Sequence, residues 1–211
     1  MKLRSGYKTT IINSIHNDWV NIKNKCRTTV RKDYTANVPN SEFKRKLLIS
    51  EHSPIRLLEV DWSWKNIKYW VSTEWSRHKF EKFISSQRND RQDEYDRNKA
   101  PQDTPVNFDG CANAQNLIDA MRKRLCHQAT PEARELAESL KVAIKNSGEE
   151  ELADVLVCNC VYRCGCPEFA SCGMWKLIEN ACTKEELTDI RKRYKVYNDM
   201  IYGKYKEENA Y

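Results

Sequence analysis

The sequence predicts an α+β fold: a small, mostly antiparallel sheet drawn chiefly from the first half and flanked by helices, followed by a helical second half. Short β-branched and aromatic runs separated by turn residues fill the first hundred positions. Apolar residues at helical spacing dominate from residue 113 onward, and no internal repeat or low-complexity tract interrupts them. The 211 residues are read as a single domain, 1–211, with a cysteine-rich segment at 158–172.

Tyr7 to Ile12 leans toward strand and leads through Asn17-Asp18 into a short helix ending near Cys26. Residues 55–62, apolar and preceded by Ser53-Pro54, read as a strand. Ile67, Trp70, Val71 and Trp75 then share one face of a helix that ends at Arg77-His78, and their apolar face belongs to the core. A strand is expected at 80–85 and a connecting loop at 88–109, where charge and proline accumulate. Leu117, Met121 and Leu125 mark a helix over 113–127, and Thr130-Pro131-Glu132 supplies an N-cap, a first-turn proline and an early acid for the next one. That helix runs to Lys145, and another covers 149–157. Finally, Thr183 to Glu186 has the form of a capping box, with Leu187, Ile190, Tyr194, Tyr197 and Ile201 continuing at helical spacing.

Composition narrows the function classes. No apolar run approaches the roughly 18 residues of a membrane helix, and residues 1–5 run into polar sequence instead of a signal-peptide core. No membrane partner is therefore expected, and the location is read as cytoplasmic. Nine cysteines is an odd number for a disulfide scaffold, so reduced thiols fit better. The net charge of +6 is uneven: residues 1–100 carry 21 Lys/Arg against 12 Asp/Glu, and residues 101–211 carry 15 against 18. The basic half attracts polyanions, including nucleotides and phosphorylated cofactors. Both the GxGxxG fingerprint and the GxxxxGK[ST] loop are missing, so side chains must hold any phosphate, and arginine does this best through its bidentate fork.

The arginine and histidine motifs fall in a suggestive order. His52-Ser53-Pro54 precedes a predicted strand, Arg77-His78-Lys79 closes a helix, and Ser86-Gln87-Arg88 lies in the next strand. Asn113 opens a helix that carries Arg124 eleven residues on, before Ala129 to Arg134. Over about residues 26–144 this pattern resembles the flavin-dependent thymidylate synthases. The resemblance implies that family's fold, and a homotetramer with active sites at subunit interfaces. It further implies FAD as cofactor, NADPH and methylenetetrahydrofolate as co-substrates, and conversion of dUMP to dTMP.

By the same resemblance, Arg77, His78 and Lys79 hold FAD phosphates, Ser53 touches the cofactor and Asn113 meets the flavin. His52 lies near flavin and folate, and His52, Ser86 and Arg124 form the catalytic set. Glu74, Ser86, Gln87, Arg88, Arg97 and Arg124 bind substrate, with Arg124 clamping the dUMP phosphate. Several positions depart from the family pattern. Lys79 replaces an arginine, Asn89 a tyrosine, Ile84 a glutamate, and Glu74 the usual dUMP-binding glutamine. A carboxylate facing uracil accepts from N3–H but cannot donate to a carbonyl. Glu74 and Ile84 therefore keep open a flavoprotein acting on another pyrimidine nucleotide. Taken alone, basic residues at a helix end equally match the helix dipole.

Cys158, Cys160, Cys164, Cys166 and Cys172 crowd fifteen positions, and Gly165 and Pro167 could turn the chain around one soft ion. Cys160, Cys164, Cys166 and Cys172 are the candidate ligands, with zinc the first metal expected. Small buried thiols under a loop are an equal alternative, because the spacing lacks paired CxxC knuckles, and an iron–sulfur cluster ranks below both. With zinc, the rival function is a nucleic-acid-binding module whose tryptophans stack on bases, although nucleic acid is not the expected partner.

Overall fold

The computed structural model describes residues 9–91 and 95–203. Residues 1–5, Tyr7 and Lys8, used in the sequence reading, lie outside that range. The sheet is antiparallel in the order β1-β2-β4-β3, with β1 at Ile11–His16, β2 at Glu59–Lys68, β3 at Glu81–Ile84 and β4 at Pro105–Asn113. Alternation along β4 explains its placement. Val106, Phe108, Gly110 and Ala112 are buried on one face, while Asn107, Asp109 and Cys111 face the other. On that buried face Trp62 stands opposite Gly110, and a Cβ at Gly110 would sit 2.4 Å from the Trp62 ring. Glycine is required there because the indole occupies the space of a side chain. Trp62, Trp64, Trp75, Phe80 and Phe108 form a contiguous aromatic core, with Trp64 and Trp75 centroids 4.8 Å apart.

Around the sheet pack α1 (Trp19–Thr29), α2 (Ser41–Ile49), α3 (Tyr69–Ser76), α4 (Ala114–Arg124) and α5 (Pro131–Asn146). The shorter α6 (Glu150–Val155), α7 (Asn159–Arg163), α8 (Met174–Ala181) and α9 (Lys184–Thr188) lead to α10 (Ile190–Tyr202). Helix α5 is the spine. It buries Ala133, Leu136, Ala137, Leu140 and Ile144, and Ser139 Oγ accepts from the Thr10 backbone at 3.0 Å, tying the sheet edge to it. One cluster of buried side chains joins both halves of the chain, from Trp19 to Tyr197.

Several expectations are corrected. Residues 53–57 form a 3-10 turn, since Pro54 lacks the N–H a ladder needs, and the strand begins only at Glu59. Ile67 ends in β2 and not on α3, so the apolar face of that helix rests on Val71 and Trp75, with Trp70 half-buried. The segment read as loop to Asp109 contains most of β4. Helix α2 was not expected, although Asn40 caps it by accepting from the Phe43 N–H at 2.9 Å. The Thr183 capping box is formed, but it starts only the five-residue α9; Asp189 then caps α10 separately. No helix among the described residues is long and apolar enough to cross a membrane.

Candidate functional site

Helices α3 and α4 end side by side, and their last turns carry the densest set of interacting polar groups among the motif residues. The Arg124 fork reaches three acceptors. Nε donates to His78 Nε2 at 2.8 Å, Nη1 to Glu74 Oε2 at 2.8 Å and Nη2 to the Glu74 carbonyl at 2.6 Å. Thr130 Oγ1 completes the Glu74 shell at 3.2 Å from each carboxylate oxygen. Thr130 was expected to cap α5 with its hydroxyl; it holds the N-cap position, yet its side chain serves Glu74 instead.

His78 is consequently a neutral imidazole. Burial pushes its pKa down to about 4, and the Arg124 and Lys82 charges push the same way. Because Nε2 accepts from Arg124, the ring proton resides on Nδ1, and the ring stacks within 7° of parallel on Phe80. His78, expected to help hold FAD phosphates, is thus an uncharged ring with its Nδ1–H as donor. Burial also lowers the Arg124 pKa, with Glu74 opposing and the Arg77 charge adding to the shift. Arg77, Arg124 and Lys82 thus concentrate positive charge around one paired carboxylate.

Arg77 and Lys79 are exposed, and neither makes an ion pair among the described residues. Two uncommitted cations at one turn suit a diphosphate such as that of FAD. At the opposite end of α4, Asn113 caps the helix by accepting from the Asn116 N–H at 3.0 Å. The Leu58 carbonyl accepts from the Ala114 N–H at 2.8 Å, which holds the turn bearing exposed His52 and Ser53 beside this helix start. Eleven helical residues therefore separate the Asn113 end from the Arg124 end, about 16 Å.

Ser86 and Arg88 are expected to share one strand face with Gln87 between them, but β3 stops at Ile84. They lie beyond the strand that separates them from the Arg77-His78-Lys79 turn. Arg88 pairs with Asp90 through Nε at 2.9 Å and Nη2 at 2.6 Å, and Ser86 Oγ accepts from the Arg88 N–H at 3.3 Å. Exposed Arg97 is tied to this loop by its backbone N–H, 3.0 Å from Asn89 Oδ1.

The cysteines do not assemble a metal site. Among the described residues no three ligating side chains converge, so the zinc assignment of Cys160, Cys164, Cys166 and Cys172 is withdrawn. Helix α7 is the reason. Cys158 and Cys160 turn inward, their sulfurs 3.4 Å apart, whereas Cys164 takes a left-handed conformation (φ 55°) and is exposed, as is Cys172. The S–H···S contact with Cys158, together with burial, holds the Cys160 thiol well above its ordinary range. Arg193, which belongs to no motif, is buried and donates to the Val161 carbonyl at 2.7 Å and to those of Leu187 and Tyr162, fastening this segment to α10. Of the six tryptophans offered for base stacking, Trp19, Trp62, Trp64 and Trp75 are core residues, while Trp70 and Trp175 are half-buried.

No family model and no curated protein matches the sequence. Solved structures do. The flavin-dependent thymidylate synthase ThyX from Helicobacter pylori complexed with FAD and dUMP aligns at TM-score 0.59 and 14% identity, covering 71% of this chain and 100% of that one. A second structure of that enzyme with FAD and dUMP gives the same score and identity, over 71% and 99% of the two chains. The UMP/dUMP methylase PolB from Streptomyces cacaoi bound with 5-Br dUMP aligns at 0.57 and 13%, over 70% and 93%. The chain is thus an α+β protein with a four-stranded antiparallel sheet and the fold of the flavin-dependent thymidylate synthases. At such identity the likeness is one of fold.

Proposed function

We propose that this protein is a flavin-dependent enzyme that transfers and reduces a methylene group from methylenetetrahydrofolate onto dUMP, giving dTMP, with NADPH as reductant. The carrying observation is the α3–α4 cluster: Arg77, His78, Lys79 and Arg124 meet at one place in this fold, in the order the family motifs prescribe. The structures of similar fold that hold FAD and dUMP, or 5-Br dUMP, support the same ligands here.

Arg77 and Lys79 would hold the FAD diphosphate, with the His78 Nδ1–H as a neutral third donor. Bound FAD would supply the hydride that reduces the transferred methylene to a methyl group. Arg124 has five N–H groups, three of them committed, which leaves two to bind the dUMP phosphate. Asn113, Ser53 and His52, about 16 Å along α4, would face the flavin and folate. Ser86, Gln87, Arg88 and Arg97 lie past β3 from the Arg77-His78-Lys79 turn, and in the homotetramer that the family resemblance implies, neighbouring subunits would complete each site. A cytoplasmic location accords with this chemistry.

Glu74 favours a second reading, a flavoprotein acting on another pyrimidine nucleotide. Tied to Arg124 and Thr130, the carboxylate is an acceptor, and an acceptor suits a hydroxyl or amino group that dUMP lacks. Purified protein should be yellow and retain FAD. Tritium release from 5-tritiated dUMP, with methylenetetrahydrofolate and NADPH present, should match dTMP formed. Release from UMP or dCMP but not dUMP would select the second reading, and colourless protein that takes up no FAD would overturn both.

A further inference from the structure

A cavity of about 1010 Å³ opens between α2, α5, α6 and α10, remote from the α3–α4 cluster. Its depth holds a cation without a carboxylate of its own. Lys141 is only 4% exposed, and its Nζ donates to two neutral acceptors, the Leu156 carbonyl and Asn198 Oδ1, both at 2.6 Å. The Tyr197 and Tyr202 rings lie 5.5 and 4.6 Å away. Asp154, the carboxylate facing Lys141 from α6, is already bound by Arg45 at 3.0 Å.

The remaining charges of the lining largely cancel. Lys46 pairs with Glu42, Lys145 with Glu150 and Lys195 with Asp199. Arg191 has a contact of only 3.8 Å, with Asp189. Lys141 and Arg191 are therefore the excess positive charge of a cavity otherwise walled by Ile49, Val142, Val155 and Tyr194. An ammonium buried without a counter-ion is costly, and a leucine or methionine at this position of α5 would fill the same space without that cost. Burial lowers the Lys141 pKa to about 7, and a bound anion would offset that burial. The volume suits a small organic molecule.

We propose that this cavity is a second binding site, for an organic carboxylate with an apolar body, its carboxylate meeting Lys141 and Arg191 and its body the apolar wall. This site is separate from the proposed nucleotide site, and the proposal stands whichever pyrimidine that site takes.

The test is calorimetric titration of the full-length protein with 1-naphthoate and with its neutral analogue 1-naphthalenemethanol, in excess dUMP. Naphthoate should bind saturably and at least roughly ten-fold tighter than the alcohol, the expected margin of one charge-assisted contact. Lys141→Met should erase that preference with the melting transition retained, and Val142→Trp should block both ligands by filling the cavity. Equal affinities, a preference that survives Lys141→Met, displacement of naphthoate by dUMP, or no saturable binding would each overturn the proposal. Should Lys141→Met fail to fold, undiminished naphthoate binding by Val142→Trp would overturn it.

Discussion

Arg124 donates through Nε to His78 Nε2 across 2.8 Å, so the guanidinium at the end of one helix fixes the protonation state of the imidazole at the end of another. A protonated His78 would lose that acceptor and face Arg124 and Lys82 as a third positive charge. The folded pKa is lowered to about 4 from the ordinary 6.5, so between these values the unfolded chain binds more protons. Stability from this group is complete above pH 6.5 and declines as pH falls toward 4. Melting temperatures across that window should fall more steeply in the wild type than in His78→Gln, whose amide oxygen accepts from Arg124 without titrating. Parallel profiles for the two proteins would disprove the assignment.

Glu74 is the counter-ion that lets Arg124 remain half-buried, with 13% and 19% of the two side chains exposed. Glu74→Ala leaves the guanidinium short of a partner and should cost about 2–3 kcal/mol, seen as a lower denaturant midpoint with unchanged slope. Glu74→Gln keeps one acceptor oxygen and adds a donor, so its loss should be smaller. If the second reading of substrate holds, Glu74→Gln should also shift nucleotide preference toward dUMP.

The elements that the sequence reveals are those governed by local rules. Helix α5 follows from Pro131 at its first position, α9 from its capping box, and α4 from the asparagine at its head. Long-range pairing is what periodicity misses. Strand β4 sits in a stretch whose charge and prolines read as loop, and only the match of Gly110 with Trp62 explains why it pairs with β2. The site is legible to the same degree. Its motif residues can be picked out, but the contact of Glu74 with Arg124, fifty positions apart, and the diversion of Thr130 from its capping role arise from the packing of α3 against α5. The cysteine spacing misled because Cys158 and Cys160, at the start of α7, turn together into the core, while Cys164, past its end, and Cys172 are exposed.

Gly110→Ala tests that pairing directly. The added methyl would meet the Trp62 ring at 2.4 Å, on a strand pair at the centre of the sheet, where neither backbone can withdraw. Overpacking of this kind costs about 1–3 kcal/mol, or roughly 3–10 °C of melting temperature for a domain of this size. A double variant, Gly110→Ala with Trp62→Leu, should recover part of the loss, and additive losses would show that the two positions do not clash.

Arg193 should govern the cysteine-rich segment. Its guanidinium is buried and satisfies the carbonyls of Val161, Tyr162 and Leu187, so Arg193→Met removes a donor from all three and leaves Leu187 only the weak Cys164 thiol. The expected outcome is faster limited proteolysis within residues 162–173 and faster modification of Cys158 and Cys160 by a thiol reagent. Unchanged rates at both places would mean that α10 holds the segment without it.

Arg124→Lys separates the internal role of this arginine from its proposed nucleotide role. Lysine keeps the charge but loses the planar fork, so one ammonium cannot reach His78 Nε2, the Glu74 carboxylate and the Glu74 carbonyl while also presenting two N–H groups to a phosphate. Affinity for dUMP should fall by roughly ten-fold, the usual scale for one lost charge-assisted hydrogen bond. Flavin content should stay normal, because the fork's hydrogen bonds hold His78 and Glu74 and neither Arg77 nor Lys79. Equilibrium titration of the oxidised protein with dUMP, paired with the flavin-to-protein absorbance ratio, measures both. Unchanged dUMP affinity would restrict Arg124 to bracing α3 against α4, whereas loss of flavin alone would move its two remaining N–H groups to the cofactor.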